Sequence, residues 1–120
     1  DNDIYVAVAA LMVFLGHLFS VFLKFKGGKG VATSLGIFLY LMPYAALSAA
    51  VVFAVVMVIS KYVSVSSLLA ALSLPIFGML YQMPKPYDYA SIVISALVIL
   101  KHHENIKRLL TGTEVKFGKK

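Results

Sequence analysis

Apolar residues fill this chain in long blocks, interrupted at only a few places by charge, glycine or proline. The first block, Ile4 to about Leu23, has roughly the ~20 residues a helix needs to cross a bilayer. From Val31 to Ser60 the chain stays apolar for 30 residues, too many for one straight crossing. Pro43 divides that block, because an interior proline removes a helical hydrogen bond and clashes with the preceding turn. Val31–Met42 therefore reads as a short, tilted or re-entrant helix and Tyr44–Ser60 as its return. Lys61 marks a boundary. Ser64, Ser66 and Ser67 open the next helix, which runs to about Gln82 with a kink expected at Pro75. Met83-Pro84-Lys85-Pro86 reads as a non-helical loop, Tyr87 or Asp88 to Leu100 as a last crossing, and Lys101–Lys120 as a polar tail. The pattern predicts an all-α, polytopic integral membrane bundle. It has about five membrane segments and an amphipathic cytoplasmic tail, and residues 1–120 form a single domain.

Composition strengthens that picture. Hydrophobic residues make up 61% of the chain and charged ones 13%, and the mean hydropathy is +0.91. So much apolar surface points to lipid as the solvent. Cysteine is absent, which excludes disulfides and thiol chemistry. The net charge of +6 is concentrated in the loops and does not form a nucleic-acid footprint. If the first block ends inside, 10 of the 11 basic residues fall in the cytoplasm and only Lys85 lies outside. Counting Lys and Arg in short loops sets orientation in this way. The glycine-rich loop, the Lys61–Ser67 corner and the tail then share one cytoplasmic face. The start, Asp1-Asn2-Asp3, has neither Met nor a basic leader and reads as an interior cut of a longer chain.

Candidate chemistry begins in FLKFKGGKGVATS, Phe22 to Ser34. Lys24, Lys26 and Lys29 carry positive charge, and Gly27, Gly28 and Gly30 let a ligand approach the main chain. Successive N–H groups ahead of a helix start make an anion-binding concavity. The plainer reading is a turn whose lysines only set orientation. Gly30 stands where a P-loop needs Ser or Thr, so nucleotide chemistry of that kind is disfavoured. His17, late in the first block, is either a functional group at membrane depth or an interfacial residue bonded to backbone. In the tail, His102, Asn105 and Leu109 share a helical face, and Ile106, Leu109 and Leu110 form an apolar stripe. A His/Asn pair can hold hydroxyl and phosphate oxygens; equally, the segment reads as an amphipathic basic tail. Two histidines without further ligands make a poor metal site.

Three strings occur in order: Gly16-His17-Leu18-Phe19, Phe25-Lys26-Gly27-Gly28-Lys29-Gly30-Val31-Ala32-Thr33, and His102-His103-Glu104-Asn105-Ile106-Lys107-Arg108-Leu109. Together they resemble the acyl-phosphate-dependent glycerol-3-phosphate acyltransferases of bacterial membranes. The resemblance implies transfer of an acyl group from acyl phosphate to the sn-1 hydroxyl of glycerol 3-phosphate, giving lysophosphatidic acid in the inner membrane. It also makes an enzyme that produces acyl phosphate a candidate partner. Ser20 stands where the family usually has Pro, and His103 where it often has Arg. The family's first motif, an arginine with a Gly-Ser-Gly-Asn-rich loop, is not among these residues, which again reads as the C-terminal portion of a longer chain.

On this reading Lys26 and Lys29, with the amides of Gly27, Gly28 and Gly30, hold phosphate oxygens. His102 and Asn105 orient glycerol 3-phosphate, with Ser64, Ser67 and His17 as further candidates. Direct attack on the mixed anhydride needs no acyl-enzyme, metal or organic cofactor. The base is either His102 or a substrate phosphate. The rival readings are a small membrane carrier for phosphate-like anions and a non-catalytic membrane subunit.

Overall fold

The computed structural model describes residues 2–24 and 31–116, without the side chains of residues 17–24 and 32. Within these bounds every regular element is helical: α1 (Asn2–Lys24), α2 (Val31–Leu41), α3 (Pro43–Ser60), α4 (Val63–Leu80), α5 (Lys85–Lys101) and α6 (His103–Thr111). The expected blocks are all present, with small shifts at their ends.

Proline chemistry explains most of those shifts. Pro43 does end α2, yet it is also the first residue of α3, where its missing N–H is no loss. Met42, between the two helices, is the single non-helical joint. Lys85 and Pro86 were expected in a loop but belong to the first turn of α5, for the same reason. α4 begins at Val63, so Ser64, Ser66 and Ser67 lie inside its first turns.

Pro75 sits within an unbroken α4. Lacking an N–H, it cannot bond the carbonyl four residues earlier, that of Ala71. The hydroxyl of Ser95 on α5 donates to that carbonyl at 2.7 Å. The hydrogen bond lost within one helix is thus replaced by one between helices.

The packed interior is built from small residues and a few large ones. Ala7, Ala10 and Phe14 of α1 are buried at helical spacing, as are Ala45, Ala46 and Ala49 of α3 and Ala90, Ile94 and Val98 of α5. Large apolar side chains such as Val51, Val58 and Ile59 of α3 point outwards. Small residues let helix backbones approach closely, which is how helices associate when the surrounding solvent is itself apolar. At Gly78 of α4 a Cβ would collide with the carboxyl of Asp88, so the glycine is what lets α5 lie so near.

α3 and α4 are each 18 residues long, with mean hydropathies of 2.1 and 1.9, and are long and apolar enough to cross a membrane. α2, with 11 residues, is about half the length of a straight crossing. The two ends of the bundle differ. Tyr5, Tyr40, Tyr44, Tyr81 and Tyr89 are exposed at the starts of α1, α3 and α5 and the finishes of α2 and α4. There Tyr87 donates to Asp3 at 2.9 Å and Ser48 pairs with Tyr81 at 2.6 Å, tying α5 to α1 and α3 to α4.

Ser95→Ala is expected to cost about 1 kcal/mol, in the range of interhelical hydrogen bonds in membranes. The loss should shrink in a Pro75→Ala background, where residue 75 supplies its own N–H to Ala71. A double-mutant cycle by denaturant unfolding in mixed detergent micelles measures the difference; equal losses in both backgrounds would contradict the pairing.

Candidate active site

Four helices each turn one face towards a shared cavity of about 840 Å³, a size typical of small-molecule sites. Ser34 and Phe38 of α2, Ala46 and Ala50 of α3, Ser67 and Leu74 of α4, and Ile94 and Val98 of α5 mark the four faces. Most of the lining is apolar. Polar groups gather at one end, where Ser64, His102, Asn105, Arg108 and Glu114 meet.

Each polar group is held by a local cause. His102 lies at the junction of α5 and α6 rather than on α6, and it is buried. Its Nδ1 donates to the Val98 carbonyl at 2.8 Å. A carbonyl only accepts, so Nδ1 carries a proton in this contact. Asn105 and Arg108 are three apart and project from one face of α6.

Gly112 then stops α6 in the left-handed conformation at φ 75°, and the Thr113 N–H bonds back to the Arg108 carbonyl at 2.8 Å. This glycine-capped stop reverses the chain. It returns Glu114 to the helix it has just left. The Glu114 carboxylate accepts from Asn105 Nδ2 and from Arg108 Nε, both at 2.7 Å. Lys116 continues onto the Tyr62 ring, with Nζ 5.5 Å from its centroid.

Burial alone would raise the Glu114 pKa. The hydrogen bonds from Arg108 and Asn105, the nearby Ser64 hydroxyl and the guanidinium charge outweigh it and hold the carboxyl at about 2. Ser64 contributes through proximity rather than a formed bond. Ser64 is 5% exposed and its Oγ is buried, and among the described residues no partner meets hydrogen-bond geometry. Ser66 and Ser91, by contrast, bond back to carbonyls of their own helices at 2.8 and 2.7 Å. Ser64 thus brings a buried hydroxyl to the polar end of the cavity, beside the Glu114 carboxylate.

Of the residues expected from sequence, Ser64, Ser67, His102 and Asn105 line this one cavity. Lys26, Gly27, Gly28, Lys29 and Gly30 lie outside the described residues, as does the side chain of His17 on α1. Val31 and Ser34, just after the glycine-rich loop, reach the cavity. Leu110, expected in an apolar stripe, is 83% exposed, while Ile106 and Leu109 are half-buried.

A sequence profile described as Glycerol-3-phosphate acyltransferase matches residues 3–112. The chain belongs to the glycerol-3-phosphate acyltransferase family. Curated members of the family bearing the same name include one from Trichlorobacter lovleyi, 48% identical over 111 residues. That match covers 92% of this chain and 57% of the relative. Another, from Bartonella henselae, is 46% identical over 121 residues and covers 98% and 56% respectively. Crystal structures of PlsY, an integral membrane glycerol 3-phosphate acyltransferase, superpose with a TM-score of 0.80 at 44% identity. They were solved in glycerol 3-phosphate and lysophosphatidic acid forms, and 88% of this chain is covered. The chain spans just over half the length of these acyltransferases, 52% of the glycerol 3-phosphate form.

Arg108 and Glu114 are cavity residues that spacing alone does not single out. The signal for Glu114 was the glycine two residues before it, a helix stop that turns the chain back.

Glu114→Ala is expected to cost on the order of 1–2 kcal/mol as two charge-assisted bonds are lost. The value should fall at the lower end because the Arg108 side chain is 41% exposed. Because the folded pKa lies below the ordinary 4.5, the contribution is present above that value and is lost as pH falls through about 2. Amide exchange of residues 112–116, followed from neutral to acid pH, checks both points. Fast exchange in the wild type already at neutral pH would contradict the closure.

Proposed function

We propose that this protein is a membrane acyltransferase that moves a fatty acyl group from acyl phosphate to the sn-1 hydroxyl of glycerol 3-phosphate. The product is lysophosphatidic acid. The observation that carries the reading is the two-part cavity: an apolar well continuous with a polar mouth, as an acyl phosphate requires. The mouth presents His102, Asn105, Arg108 and the buried Ser64 hydroxyl. Family membership and the PlsY forms with glycerol 3-phosphate and lysophosphatidic acid support it.

The chemistry needs little beyond placement and charge. Acyl phosphate is an activated mixed anhydride, so the substrate hydroxyl attacks its carbonyl directly. The new C–O ester bond forms, the bond to phosphate breaks, and phosphate leaves with the electron pair. The hydroxyl proton passes to His102 or to a phosphate oxygen of the substrate. Lys26, Lys29 and the amides of Gly27, Gly28 and Gly30 hold the phosphate that departs, where preorganised charge counts most. Asn105 and Arg108, both oriented by Glu114, bind the phosphate of glycerol 3-phosphate with Ser64 and Ser67. His17 stands just before this loop as a further phosphate contact.

The protein lies in the bacterial inner membrane with about five segments, and its polar mouth faces the cytoplasm. The exposed tyrosines form an interfacial belt at the far end, away from Lys61, Lys101 and the other cytoplasmic lysines. A cysteine placed at Thr111 should therefore react with impermeant thiol reagents only from the cytoplasmic side, and one at Lys85 only from outside. Labelling of residue 111 from outside overturns this orientation.

Transfer from acyl phosphate to labelled glycerol 3-phosphate by the intact protein in membranes tests the function. Lys29→Ala is expected to lower kcat/KM about 10²–10³-fold, the usual loss when one preorganised stabiliser of developing charge is removed. Lys24→Ala should lose little. Phosphate flux through liposomes without acylation would favour a carrier instead, and equal losses at Lys24 and Lys29 would reduce the loop to bulk charge.

A further inference from the structure

The well is shaped by a contrast in side-chain size. Ala46, Ala49 and Ala50 of α3 and Ala70 and Ala71 of α4 leave its walls open. The lining residues of α2, α4 and α5 farthest along each helix from the polar end are Phe38, Leu74 and Ile94, which are buried and large. Both helices that run from mouth to floor give a similar depth. On α4 the distance from Ser64 to Leu74 is ten residues, about 15 Å at the helical rise. From His102 back to Ile94 is eight residues, about 12 Å. A fully extended chain of single bonds advances about 1.2 Å per bond. With its carbonyl at the mouth, an acyl chain of roughly ten to twelve carbons therefore reaches the floor.

We propose that Leu74 and Phe38 form the floor of an acyl-chain gauge, which sets how much of the donor's chain is buried in the protein. The proposal rests on the acyltransferase reading of the same site. Methylenes above the floor gain burial, and those beyond it must turn out of the well and gain little. Because a buried methylene is worth about fourfold in affinity, the gauge has a visible signature. Affinity rises steeply with chain length and then breaks. The position of Ala70, one turn nearer the mouth than Leu74, is where a larger side chain would raise the floor. Leu74 itself is where a smaller one would lower it.

The test uses the intact protein in detergent, binding alkyl phosphates from butyl to octadecyl in competition with a fluorescent alkyl phosphate. Acyl-transfer rates with acyl phosphates of the same lengths are measured in parallel. In the wild type, affinity should rise about fourfold per methylene to roughly twelve carbons and then flatten. Ala70→Leu should move the break about four or five carbons shorter, one helical turn. Leu74→Ala should move it about two or three carbons longer. The opposite shifts keep the test decisive if one variant fails to fold. An unmoved break in the folded variants overturns the gauge, and so does equal binding of inorganic phosphate and dodecyl phosphate. The second result would mean that lipid or a protein segment fills the well. Acyl transfer with an unmoved break would leave the proposed function standing. Shifted breaks without any transfer would support the gauge and overturn the function.

Discussion

The hydroxyl of Ser95 on the carbonyl of Ala71 holds the two helices on which the rest of the site depends. In an apolar surrounding every backbone polar group has to be satisfied within the protein. Pro75 leaves one carbonyl without its helical donor, and α5 supplies the replacement. α4 carries Ser64 and Ser67, while α5 ends at His102. Pinning one to the other part-way along their lengths sets the separation of the groups at the mouth. The bond also lies in the cavity wall, so the space beside it is kept open by a polar contact between otherwise small residues.

Closure of the mouth uses a different kind of force. α6 is short, and no residue in it is fully buried, so packing alone does not fix where Asn105 and Arg108 point. The carboxylate of Glu114 does so through two short charge-assisted bonds. Such bonds are stronger than neutral ones, and the fork of Arg gives them direction. The left-handed Gly112 is the backbone condition for this arrangement, because it lets the chain reverse within one residue of the helix end. Lys116 over Tyr62 extends the same return to the corner between α3 and α4.

The opposite end of the bundle gathers exposed tyrosines. Its tyrosines expose their rings, while the Ser48–Tyr81 hydroxyl pair and the Tyr87 hydroxyl on the Asp3 carboxylate tie neighbouring helices together. The glycine at position 78 lets the buried Asp88 approach α4. Polarity is thus present at both ends but differs in kind. One end has exposed tyrosine rings with hydroxyls and carboxyls between helices, and the other has Asn105, Arg108, Glu114 and the His102 imidazole at the polar end of the cavity.

Apolar run length and proline position alone determined the helices, since both act within a few neighbouring residues. The breaks at Pro43 and Lys61 were legible in that way, and the spacing of His102 and Asn105 anticipated that both would line one cavity. The start of α5 was misread because proline obstructs a helix interior but not its first turn. Family membership was legible too, because the glycine-lysine and His-Asn strings are contiguous. Other features depended on distance in space. The partner of Ala71 is 24 residues away, and Glu114 finds Asn105 only because Gly112 turns the chain back. The well exists because alanines on separate helices face one another, and only the tertiary structure decides which faces meet.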